Sequence, residues 1–276
     1  MRWDRGHQSE DVIDERGRRS AAGGVNPNAL FLLFRFASRF GWKGMVIATL
    51  LTGGVLYLQS QPLSTDTGPG DDEARQFVGS ILDDVQTTFA EQVPGYRRAK
   101  LVLFTGATTT GCGYGDAATG PFYCPLDERV YIDLLFYDEL SKRFGAPGDF
   151  AEAYVIAHEI GHHVQHQLGT DDKVPKGRTA LGASGASVRL ELQADCYAGV
   201  WAASAARRNL LDVGDLDEGL TAAAAIGDDR LQRQQAGTVS PESFSHGTSA
   251  QRSRWLRKGF DAGTIDACDT FAAAEL

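Results

Sequence analysis

Cysteine is scarce in this chain, four in 276 residues, and no two of them form a C-x-x-C pair. A cysteine-based metal site is therefore a weak reading. Basic charge is short as well: 27 Lys and Arg against 36 Asp and Glu leave a formal net charge of −9. An acidic body repels phosphate, so no nucleic-acid partner is expected. No internal repeat is visible, which removes solenoids and arrays. Nor is there an apolar run of the roughly 18 to 20 residues that a membrane helix ordinarily needs. What is present, at 42% apolar content, suffices to bury one sizeable core.

Histidine is also rare, six in all, yet four lie between positions 158 and 166. Residues 158 to 162 read His-Glu-Ile-Gly-His. On a helix, positions i and i+4 share one face, so His158 and His162 can offer two imidazoles to one ion with Glu159 beside them. Neutral imidazoles suit a borderline-soft divalent ion such as Zn2+, and a nearby carboxylate can take a proton from water activated there. The bland alternative is a solvated helix with unrelated histidines. The flanks argue for a buried helix from Asp149 to Leu168: no proline interrupts, Asp149 is a plausible N-cap with Glu152 three residues on, and Tyr154, Val155, Ile160 and Val164 supply apolar faces. Gly161 costs about 1 kcal/mol relative to Ala in a helix interior, so something should pack closely on that turn.

Two protein ligands leave such a site one short. Glu191 and Asp195 are again i and i+4, on a helix expected from about Ala186 to Arg207 that Leu190, Ala194, Tyr197, Ala198 and Trp201 make strongly apolar. One can bind metal while the other accepts the free ring N–H of a ligating histidine; we favour Glu191 for the ion and Asp195 behind the ligand. His166 is the rival third ligand, although consecutive i+4 steps climb about 6 Å each along the axis. His163 points off this face and reads as structural or exposed.

The strings His-Glu-Ile-Gly-His-His-Val-Gln (158 to 165) and Glu-Leu-Gln-Ala-Asp-Cys-Tyr-Ala-Gly-Val-Trp (191 to 201) resemble the bacterial putative neutral zinc metallopeptidase family. So do Ser-Glu-Asp-Val-Ile-Asp-Glu-Arg-Gly (9 to 17) after the opening Met-Arg-Trp, Gly-Pro-Phe-Tyr-Cys-Pro (120 to 125), Val-Tyr-Ile-Asp-Leu (130 to 134) and Ser-His-Gly-Thr-Ser-Ala-Gln-Arg (245 to 252). More distantly, H-E-x-x-H followed by E-x-x-x-D is similar to gluzincin peptidases. The resemblance implies His158, His162 and Glu191 as zinc ligands, Glu159 as general base, a protein or peptide substrate, and a zincin-like fold. His246, within the Ser-His-Gly-Thr-Ser stretch, is the expected contact to the tetrahedral intermediate, against the bland reading of a structural loop histidine. The Val130 to Leu134 strand is expected, by the same resemblance, to border the substrate, with an ordinary core strand as the equal alternative.

The fold class expected is α+β: a predominantly helical domain with a small sheet, over residues 71–276. Helices are read at about 71–93, 135–143, 216–235 and 248–260, and strands at 101–105 and 130–134. Residues 1–42 read as a disordered cytoplasmic tail, polar and charged over the first 29. Residues 43–60 read as a single-pass transmembrane anchor: Met45 to Leu58 is uncharged, follows Arg35, Arg39 and Lys43, and is bracketed by Trp42 and Tyr57, with no A-x-A cleavage site after it. Residues 61–70 read as a polar linker. Residues 1–60 hold eight Lys/Arg and five Asp/Glu, net +3, and residues 61–276 hold 19 and 31, net −12. The positive-inside rule then puts the N-terminus in the cytoplasm and the domain outside. All four cysteines follow the apolar segment, an even number suited to an oxidising compartment; Cys112 with Cys124 and Cys196 with Cys268 are the favoured pairs of three possible connectivities.

The leading expectation is thus a membrane-anchored zinc-dependent endopeptidase working through a zinc-activated water. A membrane-tethered interaction module that keeps metal only for folding is a second class, opposed by Glu159, since a structural site is closed by four protein ligands and needs no base. A non-peptidase zinc hydrolase is a third. Nothing in the sequence sets the oligomeric state.

Overall fold

A computed structural model describes residues 1–17 and 69–276. Its elements, in chain order, are β1 (Val12–Asp14), α1 (Pro69–Gln92), β2 (Lys100–Phe104), β3 (Ala107–Thr110), β4 (Gly113–Asp116), β5 (Phe122–Cys124), β6 (Arg129–Asp133), α2 (Leu135–Lys142), α3 (Asp149–Gln167), α4 (Ala186–Arg207), α5 (Asp215–Ala225), α6 (Asp228–Ala236) and α7 (Ser249–Ala262). The α+β expectation holds, with helices dominant. The anticipated anchor at 43–60 lies outside the described residues, and no described helix is long and apolar enough to cross a membrane.

The main sheet has the order β1-β2-β6-β5, with the first three strands parallel and β5 antiparallel at the edge. Alternation along the strands sends Leu101, Leu103, Val130 and Ile132 towards the helices, while Val102, Phe104, Cys124 and Tyr131 make a smaller cluster on the opposite face. Helix α3 runs through the middle of the helical layer and is buried nearly all round, touching α1, α4, α5 and the sheet. Burying side chains such as Ile156 and Ile160 completely stabilises the body by about 1.5–3 kcal/mol each. Two glycine contacts set the helix spacing. A Cβ on Gly161 would stand 3.1 Å from the Ala194 backbone of α4, which is the close neighbour anticipated at that turn. At the α4–α7 crossing, Cβ atoms on Gly199 and Gly259 would fall 2.1 Å and 1.9 Å from the carbonyls of Leu256 and Cys196.

Five sequence expectations need correction. Residues 1–17 are part of the body and not a disordered tail: β1 pairs with β2 in register Val12↔Leu101, Trp3 meets Phe77 edge-on at 5.5 Å, and the Met1 ammonium lies 2.8 Å from Asp149. Because β1 shares a sheet with strands that follow residue 69, residues 1–17 belong to the same folded body as residues 69–276. Asp149 is the first residue of α3, not its cap; Gly148 at φ 125° holds that place. The helix expected over 216–235 is two helices, broken at Gly227, where a Cβ would meet the Ser249 backbone nitrogen at 2.3 Å. Finally, Val130–Asp133 lie in β6, which is interior, with Leu134 just past its end; the edge strand next to it is β5. Pro69 and Gly70, expected in the linker, already belong to α1. Both favoured disulfides are formed, Cys112–Cys124 and Cys196–Cys268.

Candidate metal centre

Helices α3 and α4 bring His158, His162 and Glu191 to one point, with one donor atom from each lying within 4.8 Å of the others. Glu191 reaches both imidazoles, at 3.2 Å from His158 Nε2 and 3.5 Å from His162 Nε2. The remaining ring nitrogens are engaged elsewhere. His158 Nδ1 is 2.9 Å from Asp195 Oδ1, and His162 Nδ1 is 2.8 Å from Gln165 Oε1. Each Nδ1–H therefore donates outward, which directs both Nε2 atoms at the Glu191 carboxylate, and losing the protons held there would free their lone pairs for a metal ion. Two imidazoles and one carboxylate with an open side form a donor set that fits a zinc ion of the reactive kind. His158 and His162 are the ring pair expected from their spacing, their centroids 4.8 Å apart.

Behind the donors lies a buried polar layer. Asp195 is fully buried and accepts from Tyr154 Oη at 2.5 Å and from Arg252 Nε and Nη2, each at 2.9 Å, in addition to His158. Burial would raise its carboxyl, but Arg252 and His158 overcome this and hold it at about 2. Gln165 donates to the Leu190 carbonyl at 2.7 Å and to Gln193 Oε1 at 3.1 Å, and Gln193 donates to the Cys268 carbonyl. The turn that carries Glu191 is thus tied to α3 on one side and to the disulfide-bonded C-terminal segment on the other.

Glu159 is buried and lines the same cleft. Desolvation pushes its carboxyl above the ordinary range, with His162 and His158 pulling the other way. In the metal-free chain burial would lower His162, yet Glu191 and Glu159 push it up to about 9, and Glu191 in turn is held well below its ordinary value. His246 lies across the cleft, half-exposed, with Nδ1 3.2 Å from Asp228 Oδ1. Asp228 and then Glu191 raise its pKa, so it holds a proton more readily than a free imidazole. The two remaining histidines of α3 are not in the cluster. His163 is fully buried between Tyr123 Oη at 2.9 Å and the Arg97 carbonyl at 2.7 Å, and His166 faces Asp171 at 2.7 Å.

Sequence reading missed Tyr154, Gln165, Gln193 and Arg252. Gln165 stands three residues past His162, a spacing that shares its face. Arg252 offers no such local sign, because its partner lies 57 positions away.

The cleft holds about 480 Å³ and is bounded on the sheet side by β5 and the residues around it. Fold and centre together define an α+β domain built round one internal site able to hold a metal ion. Residues 1–271 match the model of the family described as putative neutral zinc metallopeptidase, and the chain belongs to that family. It is 46% identical over 288 aligned positions to the uncharacterized protein YpfJ of Escherichia coli (strain K12), covering 98% of this chain and 99% of that one. An uncharacterized protein of Mycobacterium tuberculosis (strain ATCC 25618 / H37Rv) is 43% identical over 249 positions, 81% of this chain and 84% of the other. No solved structure matches.

Proposed function

We propose that this chain is a zinc-dependent endopeptidase that hydrolyses protein or peptide substrates. The convergence of His158, His162 and Glu191 beside a buried Glu159 in an open cleft carries the reading. A zinc ion bound there supplies a Lewis-acid charge that acidifies water and polarises a carbonyl oxygen. Glu159, raised by burial, takes the proton of the attacking water and later delivers it to the leaving amine. His246, held by Asp228, directs positive charge at the oxygen on which negative charge develops. Asp195 and Gln165 keep the two imidazoles in the tautomer that presents Nε2. The open edge of β5 lets an extended chain add main-chain hydrogen bonds.

The centre's open side speaks against a purely structural metal, which four protein ligands would close. Two disulfides support an oxidising compartment, and we place residues 1–17 there together with the rest of the body. The test is Glu159→Gln on the zinc-loaded protein. The variant should keep its zinc and lose about 10²- to 10⁴-fold in peptide hydrolysis. Equal turnover in the two proteins would remove Glu159 from the reaction.

A further inference from the structure

The two sides of the cleft differ in chemistry. Every carboxylate, imidazole and guanidinium that lines it comes from α3, α4 or the chain that follows them. The lining contributed by residues 119–136 contains none; it consists of Thr119, Gly120, Pro121, Phe122, Tyr123, Pro125 and Phe136. Its apolar character continues outward. Of the five exposed large apolar side chains among the described residues, three belong to this stretch or its hairpin: Tyr114, Leu126 at 77% exposure and Leu135 at 61%. Leu126 and Leu135 are the chain neighbours of Pro125 and Phe136, which line the cleft, and stand exposed at its margin. Large apolar side chains left in water next to a binding cleft mark a surface that a partner covers.

This wall is also rigid. Phe122 stacks on the buried Tyr131 at 5.1 Å with 14° between planes. Hairpin β3–β4 lies against the tip of Phe122 so closely that a Cβ on Gly115 would come within 2.7 Å of its ring. Cys112–Cys124 ties the hairpin to the end of β5. Phe136 rests on Gly120, where a Cβ would find its ring at 3.5 Å. A preformed apolar wall loses little entropy when a side chain docks on it.

We propose that the 119–136 wall selects bulky apolar side chains, so that the substrate is an extended polypeptide segment carrying Phe, Leu or a similar residue at the position facing that wall. The inference rests on the peptidase reading for the cleft's orientation towards peptide, but binding tests it apart from turnover. The apolar side chain loses water against Pro121 and Phe136, while an Asp or Lys at the same place is desolvated with no counter-charge in the lining from residues 119–136. Burial of a Leu or Phe side chain is worth about 10- to 100-fold in affinity.

The experiment uses the full chain, zinc-loaded and carrying Glu159→Gln, with fluorescently labelled peptides that differ at one position among Phe, Ala, Asp and Lys. Anisotropy should give Kd values about 10- to 100-fold lower for Phe than for Asp or Lys. Leu126→Asp combined with Leu135→Asp changes only exposed side chains; it should weaken the Phe peptide at least about threefold with zinc content unchanged. Phe136→Ala should do the same from inside the cleft. Equal affinity for the Phe and Asp peptides overturns the proposal, as does a lack of binding by any of them. A Phe preference in binding alongside a wild-type protein that cleaves nothing would uphold this wall and refute the peptidase. Cleavage that ignores the varied residue would do the reverse.

Discussion

Replacing Arg252 by Met is the substitution on which the buried polar layer makes its strongest demand. Arg252 and Asp195 are 2% and 0% exposed, and the guanidinium supplies two of the four donors that meet the Asp195 carboxylate. Met fills similar volume without charge, so the variant leaves a buried carboxylate with only Tyr154 and His158. Breaking one partner of such a pair typically costs about 3–5 kcal/mol, because an uncompensated charge stays in the interior. Asp195→Leu together with Arg252→Met removes both charges, and exchanging a buried pair for apolar groups is often close to neutral. The double variant should therefore regain most of the stability lost in Arg252→Met, measured by urea unfolding in the presence of chelator. Zinc affinity should not return with it, since His158 then lacks the carboxylate that fixes its ring; that loss should be about 10- to 100-fold. The pH dependence follows from the same contacts. Asp195 is held at about 2, below its ordinary 3.8, so its contribution is present above pH 3.8 and lost as pH falls through about 2. Without Arg252 burial dominates, the carboxyl titrates higher, and acid unfolding should begin at a higher pH. An Arg252→Met protein within about 1 kcal/mol of wild type, or a double variant no better than the single one, would refute the reasoning.

The third ligand can be read by metal analysis: Glu191→Ala should strip or greatly weaken zinc, while His166→Ala, which disturbs only the Asp171 contact at 2.7 Å, should leave it bound. Reversal of those two results would dismantle the centre as described. Single cysteines introduced at Arg5 and at the fully exposed Val213 should react alike with an impermeant reagent added to intact cells, because β1 and β2 share a sheet; labelling of one without the other would contradict that pairing. Zinc uptake near pH 7 should release protons, since the metal-free His162 titrates at about 9. Its raised pKa means that the His162–Glu191 pair stabilises the metal-free protein below pH 6.5 and fades as pH rises through about 9. Calorimetric heats that do not depend on the buffer's ionisation enthalpy would rule this out.

The parts of the centre that were legible in the sequence are those in which two functional atoms sit on one helix. His158 and His162, or Glu191 and Asp195, are joined by a fixed 3.6-residue period, so spacing alone orients them. Gly161 was legible for the same reason, as a missing side chain at a turn that had to face something. Arg252 was not. A lone arginine on an amphipathic helix reads as exposed, and only the crossing of α7 over α4, set by Gly199 and Gly259, turns it inward onto Asp195. Likewise, the two short helices 215–225 and 228–236 share one periodic pattern, and what divides them is the approach of Ser249 to Gly227 from another part of the chain.

The N-terminal strand shows the harder limit. Val12–Asp14 is three residues long, too short for alternation to register, and its partner begins at Lys100. Charge and polarity around it read as a solvated tail, and they describe its surroundings correctly: Asp11 is salt-bridged to Arg98 and Lys100, and Asp14 to Arg75 of α1 at 3.9 Å as well as to its neighbour Arg16. What composition does not report is that these charges find their partners on the body itself. Burial would raise the Asp11 carboxyl, but the Lys100 and Arg98 contacts hold it below its ordinary value, as expected for an ion pair that docks a strand. Reading residues 1–42 as one disordered block fails at β1, because pairing across a sheet is a contact of known geometry whereas composition is an average.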